Sequence, residues 1–168
     1  MTDIESAARE IHLNPGDLWF GEGAVRLRTV LGSCISVTLW HPLRRVGGMC
    51  HFMLPGRVRG KDVPLSGKYA DEAFLIFDRE MERAKTRPGE YQAKVFGGGN
   101  MFPNANIRTQ GDVGLRNLEV ARQLLARRGI DVVVQHVGGA GHRRLIFDIW
   151  SGDAWLSFQD IQAPEGIL

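Results

Sequence analysis

The sequence has few cysteines, little net charge and no long apolar run. Its 168 residues include two cysteines, 43% hydrophobic and 24% charged residues, and its formal net charge is +2. Two cysteines cannot form a disulfide framework, which fits a reducing compartment. A net charge this close to zero does not indicate binding of nucleic acid. No apolar run approaches the roughly 18 residues of a membrane helix. We therefore expect one globular domain spanning residues 1–168, without membrane insertion.

Nucleotide-binding and targeting motifs are also missing. The glycine triplet at 97–99 lacks the lysine and hydroxyl of a phosphate-binding loop and the spacing of a dinucleotide fingerprint. Close approach of the backbone to a neighbouring strand or to a substrate explains these glycines better. The first residues include Asp3, Glu5 and Arg9 but no apolar core, so we expect no signal peptide.

Hydrophobic periodicity predicts about nine short strands and two amphipathic helices. Most strands are separated by turn signals, which favours an α+β fold with a largely antiparallel sheet. Asp112 is predicted to cap the second helix, and the glycine-rich residues 138–141 to join two strands as a hairpin. Residues 1–9 and 160–168 are expected to be mobile tails.

The most informative stretch predicts a β-hairpin around the turn His-Pro-Leu-Arg at 41–44. Proline has the φ angle that the second position of such a four-residue turn requires. Trp40 would then face Arg45. Pair numbers in an antiparallel ladder have a constant sum, so this register places Cys34 directly opposite His51, with Cβ atoms about 4.5–5.5 Å apart.

The two faces of this hairpin differ in polarity. The face that carries Cys34 includes several polar or flexible side chains, namely Ser36, Thr38, Met49 and Met53. The opposite face is more apolar and carries Ile35, Val37, Leu39 and Val46. We therefore expect the second face to meet the main core and the Cys34 face to border a cleft or a second layer.

A thiol beside an imidazole indicates nucleophilic catalysis. The thiolate is the nucleophile, and a neighbouring imidazolium lowers the pKa of a thiol from its free value of about 8.5. Cys34 would attack and His51 would transfer the proton. The alternative is that Cys34 is a small buried residue and His51 a structural one. The predicted register places Cys50 on the other face, so we expect no disulfide, and the histidines lack the spacing of zinc ligands.

Several motifs resemble those of the CheD family, the chemoreceptor glutamine deamidases of bacterial and archaeal chemotaxis. The specific part is Leu-Gly-Ser-Cys at 31–34 followed by His-Phe-Met-Leu-Pro at 51–55. Further agreement, in the same order, lies at 94–99 with Met101, at 113–117, at 138–139 and at 143–144. The resemblance covers roughly residues 18–158.

The resemblance implies a layered sandwich with helices packed on sheets, similar to the deamidating cytotoxic necrotizing factors. It also implies hydrolysis of glutamine side-chain amides on the cytoplasmic helices of chemoreceptors. The cysteine chemistry described below needs no cofactor and no metal. The family's catalytic cysteine and histidine correspond to Cys34 and His51. Its threonine corresponds to Thr29 only with a shift of one residue, because Arg28 occupies the other position.

The chemistry that we expect proceeds through a thioester. Cys34 attacks the glutamine amide carbonyl, and backbone N–H groups around Gly32 and Ser33 stabilise the oxyanion. His51 protonates the departing ammonia and then draws a proton from water.

Two other functions remain open at this point. The resemblance implies a CheC-type phosphatase as a partner, so the chain could act as a non-catalytic binding module that regulates this phosphatase. A general cysteine protease or acyl transferase would share the chemistry, but nothing in the sequence indicates a peptide-binding groove. An intact Cys34 and His51 favour the deamidase.

Overall fold

The computed structural model of this protein describes residues 3–103 and 108–161. Three helices are present in these residues, α1 (Asp3–Ala7), α2 (Ala70–Arg83) and α3 (Arg108–Arg127), with a 3-10 turn at Pro88–Glu90. The strands are β1 (Arg9–His12), β2 (Leu18–Glu22), β3 (Val25–Leu31), β4 (Ile35–His41), β5 (Val46–Cys50), β6 (Gln92–Gly97), β7 (Asp131–Val137), β8 (Gly141–Asp148) and β9 (Ala154–Asp160).

The strands form two sheets. One has four strands in the order β1-β3-β8-β9, and the other has five in the order β2-β5-β4-β6-β7. Most neighbours are antiparallel, while β1 with β3 and β6 with β7 are parallel pairs. Helices α2 and α3 pack against the five-stranded sheet. The predicted α+β layered sandwich is thereby confirmed.

Two apolar cores hold these layers together. The first lies between the five-stranded sheet and the helices, and it includes Phe74, Phe77 and Leu125. The second lies between the two sheets, with Leu27 and Phe147 from the four-stranded one. Burying one such side chain contributes about 1.5–3 kcal/mol, so both cores contribute substantially to folding.

The hairpin β4–β5 lies between these two cores, with one face in each, as its sequence predicts. Its apolar face, with Ile35, Val37, Leu39 and Val46, lies in the helix-side core. Met49 lies in the core between the sheets, and Cys34 packs against that core. The Cys34 face therefore borders a second layer, as expected from the alternation of side chains along a strand.

The predicted hairpin at residues 138–141 is wrong. Strand β7 pairs in parallel with β6, whereas β8 belongs to the other sheet and pairs with β3 and β9. Gly138 and Gly139 have φ angles of 74° and 69°, which glycine adopts readily, and they carry the chain from one sheet to the other. A turn signal specifies a change of direction but not which sheet the next strand joins.

The predicted start of the second helix is also wrong. Helix α3 begins at Arg108, so Asp112 lies inside it rather than at its cap. Aspartate inside a helix costs only a few tenths of a kcal/mol relative to better helix formers, so tertiary context decides where the helix starts.

At the ends of the chain, residues 3–7 are helical and β1 begins at Arg9, while residues 162–168 lie outside the described part. The single domain with mobile ends stays a prediction.

Candidate active site

The hairpin register differs from the predicted one by two residues. His41 pairs with Val46, and the four-residue loop is therefore 42–45 rather than 41–44. Arg45 turns the chain with a φ angle of 50° and donates its N–H to the His41 carbonyl at 2.8 Å. Proline still lies in the loop, but at its first position, which the sequence alone did not distinguish.

This register separates Cys34 and His51 along the ladder without moving them to different faces. An isolated bridge joins Ile35 to Phe52, so Cys34 comes opposite Met53. His51 comes opposite Ser36 by the same numbering. The direct opposition of Cys34 and His51 is therefore wrong. Because the shift is an even number of residues, the two side chains still lie on the same face as diagonal neighbours.

Cys34 lies immediately before β4 and is half-buried, and its sulfur is a free thiol. Its carbonyl accepts the Gly98 N–H at 3.0 Å. A Cβ atom on Gly97 would lie 2.1 Å from the same carbonyl oxygen, so only glycine permits this approach. The interpretation of the glycine triplet as a site of close backbone approach is confirmed. Cys34 is consequently held by backbone contacts on the β6 side.

His51 lies directly after β5 and is almost completely buried, with 2% of its surface exposed. Its backbone is fixed by the turn before β2, since its N–H donates to the Asp17 carbonyl at 3.1 Å and its carbonyl accepts the Gly16 N–H at 2.7 Å. Its Nε2 atom is buried and has no hydrogen-bond partner in the described part of the chain. This ring nitrogen is therefore unpaired within that part of the chain and closed off from solvent.

Thr29 orients the His51 ring from the other sheet. Its hydroxyl oxygen lies 2.7 Å from His51 Nδ1 and 2.8 Å from the Leu13 carbonyl oxygen. A carbonyl only accepts, so the single hydroxyl proton goes to Leu13 and the hydroxyl must accept from Nδ1–H. His51 is thereby held in the tautomer whose Nε2 has a free lone pair. The neighbouring Arg28 instead pairs with Glu10 at 2.9 Å on the exposed face.

Burial shifts the pKa values of both reacting groups toward their neutral forms. It raises the pKa of the Cys34 thiol and lowers that of His51 to about 4, where His12 adds to the lowering and Asp17 opposes it. Both shifts run against the sequence-based expectation that an imidazolium lowers the thiol pKa. Near neutral pH they favour a neutral thiol and a neutral imidazole.

The backbone N–H groups nearest to the Cys34 thiol in sequence are those of Ser33 and Cys34. Within the described ranges, neither the Ser33 N–H nor the Cys34 N–H makes a hydrogen bond. The Gly32 carbonyl accepts the Gly99 N–H at 3.0 Å, which fixes the chain just before these groups. A cavity of about 170 Å³ lies next to Ser33 and is lined by Ser33, Met101, Phe102 and Val113. Unpaired backbone N–H groups beside a thiol are the kind of donor that an oxyanion site uses.

A larger cavity of about 420 Å³ lies elsewhere, along the four-stranded sheet. Its lining includes Thr29, His12, Arg28 and Trp155, whereas Cys34 and His51 are among the described lining residues of neither this cavity nor the smaller one. The smaller cavity adjoins the segment that leads into Cys34, because Ser33 lines it. Among the described residues, no group of three or more His, Cys, Asp or Glu side chains is arranged to hold a metal ion.

Comparison with known proteins identifies the family to which the chain is similar. The family model described as CheD chemotactic sensory transduction matches residues 53–158. The chain is 51% identical over 158 residues to the probable chemoreceptor glutamine deamidase CheD 3 of Dechloromonas aromatica, covering 94% of this chain and 92% of that protein. The chain belongs to the CheD family. A CheD relative from Pseudomonas savastanoi pv. phaseolicola, also named a probable chemoreceptor glutamine deamidase, is 46% identical, with 93% and 88% covered.

The CheD family match begins at Met53 and so follows Thr29, Cys34 and His51. The proposed roles of these three residues therefore rest on their geometry in this chain. Among solved structures, the hypothetical protein YfiH of Bacillus licheniformis aligns with a TM-score of 0.47 at 17% identity, covering 71% of this chain and 49% of that one. No helix in the described residues has both the length and the apolar character needed to cross a bilayer.

Proposed function

We propose that this CheD protein hydrolyses the side-chain amides of specific glutamines on chemoreceptors to glutamates, with Cys34 as nucleophile, His51 as proton carrier and Thr29 as orienting residue. The observation that carries the proposal is the Thr29 Oγ1 contact to His51 Nδ1 at 2.7 Å, because it leaves Nε2 as a free base on the face of Cys34. The names of the CheD relatives supply the substrate class.

The first half of the reaction releases ammonia. His51 Nε2 takes the thiol proton as the Cys34 sulfur bonds to the amide carbonyl carbon, and the carbonyl oxygen becomes an oxyanion. The N–H groups of Ser33 and Cys34 stabilise it, and removal of one such donor typically costs about 10²–10³ in rate. When the intermediate collapses, the carbon–nitrogen bond breaks, and the His51 imidazolium gives its proton to the leaving nitrogen.

The second half releases glutamate. A water molecule attacks the thioester carbon while His51 Nε2 takes its proton. The carbon–sulfur bond then breaks, and the imidazolium returns the proton to the Cys34 sulfur. The neutral thiol and imidazole are restored, so the cycle needs no redox partner. We place this cycle in the cytoplasm, which is supported by two free cysteines and by the chemoreceptor substrates of the relatives.

Intact-mass measurement of a chemoreceptor cytoplasmic fragment tests the proposal. Each deamidation adds about 1 Da, because an amide becomes a carboxylate. We expect a gain with the wild-type protein and none with Cys34→Ala. Cys50→Ala is the matched control, because Cys50 is a free thiol buried on the helix side, and it should retain activity. Equal activity in Cys34→Ala would contradict the assignment of the nucleophile.

The same preparation tests the non-catalytic alternative. A partnership with a CheC-type phosphatase is supported by the family resemblance. If the wild-type protein leaves the mass of every receptor fragment from its own organism unchanged but binds and stimulates such a phosphatase, the binding module is the correct function.

A further inference from the structure

Asn117 is a buried polar side chain next to the candidate site, and no step above uses it. It lies on α3 and is completely buried. Its Nδ2 donates to the Met53 carbonyl at 2.8 Å and makes a longer contact of 3.5 Å with the Ser33 carbonyl. Ser33 precedes the nucleophile and Met53 comes opposite it. One amide group therefore joins the two chain segments on either side of Cys34.

The ladder between these segments stops at the nucleophile. Ile35 and Phe52 exchange both backbone hydrogen bonds, at 3.1 and 3.0 Å. The next hydrogen-bonded pair of a continuing ladder would be Ser33 with Leu54. Instead, the Leu54 N–H donates to the Lys68 carbonyl at 3.1 Å. The Ser33 carbonyl loses its ladder donor, and the nearest replacement is the Asn117 amide.

Among the described residues, the oxygen of this amide has no partner, in contrast to its nitrogen. Asn117 Oδ1 is buried and has no hydrogen-bond partner in the described residues. The orientation of the Asn117 amide is clear, because two carbonyl oxygens can accept only from its NH₂ group and not from its oxygen. A buried unpaired acceptor costs stability, but an apolar side chain would leave the Met53 and Ser33 carbonyls without this donor. The NH₂ group of Asn117 is therefore the part of the side chain that this position uses.

We propose that Asn117 is a positioning residue that holds the end of the hairpin open at Cys34. By supplying the Ser33 carbonyl with a donor in place of Leu54, it lets the ladder end at this pair, so that the Ser33 N–H, like that of Cys34, makes no hydrogen bond among the described residues. This inference rests on the proposed function, in which those N–H groups stabilise the oxyanion. Asn117 acts through the Ser33–Cys34 peptide and need not touch the substrate.

Asn117→Asp tests the inference, because the carboxylate has the same shape but cannot donate to the two carbonyls. We expect kcat for deamidation to fall at least tenfold while KM changes less than threefold. Asn117→Ser has a side chain too short to reach both carbonyls. It should give the same fall in kcat with little change in KM, and it introduces no buried charge. Leu125→Ala is the control, since it removes core packing on the same helix two turns away. It should lower stability but leave kcat unchanged.

Alkylation of Cys34 by iodoacetamide supplies a readout that needs no substrate. We expect its rate in folded Asn117→Asp and Asn117→Ser to differ at least threefold from the wild type, with Leu125→Ala unchanged. If both Asn117 variants have the same kcat and the same alkylation rate as the wild type, the inference is overturned while the proposed deamidase function still stands. An inactive wild-type protein would instead overturn the function, and the alkylation rates would still test Asn117.

Discussion

His51 takes its orientation from a residue that lies on the other sheet. Thr29 on β3 gives its only proton to the Leu13 carbonyl and therefore accepts from His51 Nδ1. This arrangement determines which ring nitrogen is basic, without any carboxylate beside the ring. A hydroxyl orients the imidazole but adds no charge, which agrees with the low pKa of His51.

Replacement of Thr29 by valine should remove this orientation. Valine has nearly the same shape but cannot accept from His51 Nδ1, so the ring can rotate or change tautomer. We expect kcat to fall at least tenfold and the free energy of unfolding to fall by about 1–3 kcal/mol, because two buried polar groups lose their partner. Thr29→Ser, which retains the hydroxyl, is the control. Equal kcat in the two variants would remove Thr29 from the mechanism.

The resting state of Cys34 can be measured by its alkylation rate as a function of pH. Because burial raises the pKa of the thiol, the rate with iodoacetamide should keep rising through pH 9. A resting thiolate–imidazolium pair would instead give a high, flat rate from mildly acidic pH upward. Mass mapping of the alkylated residue, with Cys34→Ala as the blank, assigns the signal to this thiol.

At the scale of elements, the segment around Cys34 is fixed by β6. Gly97 approaches the Cys34 carbonyl so closely that a Cβ atom would lie 2.1 Å from its oxygen, and its φ angle is 111°. The two following glycines continue the contact, through Gly98 N–H to Cys34 and Gly99 N–H to Gly32. The placement of Cys34 therefore depends on an element far from it in sequence.

Gly97→Ala should be far more damaging than the matched control Gly23→Ala. Gly23 has a similar φ angle of 96° but nothing within 4 Å of its Cβ position. The control isolates the backbone strain, about 1–3 kcal/mol. We expect Gly97→Ala to lower the free energy of unfolding by at least about 2 kcal/mol more than the control, because the β4–β6 contact must also open. Urea unfolding measures this free energy for both variants. Equal losses would show that the close approach has no energetic importance.

At the scale of the whole molecule, burial of His51 links stability to pH. Its pKa is about 4 in the folded protein and about 6.5 when unfolded. Between these values the unfolded chain binds a proton that the folded one does not. Stability should therefore fall as the pH decreases from 6.5 to 4, by up to about 3 kcal/mol for this group. Above pH 6.5 the contribution of His51 is constant.

Urea unfolding from pH 4 to 7.5 tests this linkage when the wild type is compared with His51→Gln. Other groups also titrate in this range, so the difference between the two proteins is the relevant quantity. The wild type should lose more stability on acidification than the variant. Parallel curves would mean that His51 has an ordinary pKa in the folded protein, and the neutral resting pair would then have to be abandoned.

The sequence by itself determined the alternation of β4 and β5, and with it the face that Cys34 and His51 share. The shared face was predicted correctly although the register was wrong by two residues, because side chains alternate with a period of two. The apolar face of the hairpin and the close approach at the glycine triplet also followed from local chemistry. The loop position did not, because residues 41–44 and 42–45 both fit a four-residue turn.

Only the tertiary structure decided the features that join distant segments. It brought Thr29 and Leu13 to His51, divided β7 and β8 between two sheets, and placed Asn117 against Ser33. It also set the protonation of the resting pair, since desolvation depends on everything packed around a group. Local sequence specifies periodicity and turns, whereas contacts across sheets depend on how the two cores pack, which no short stretch encodes.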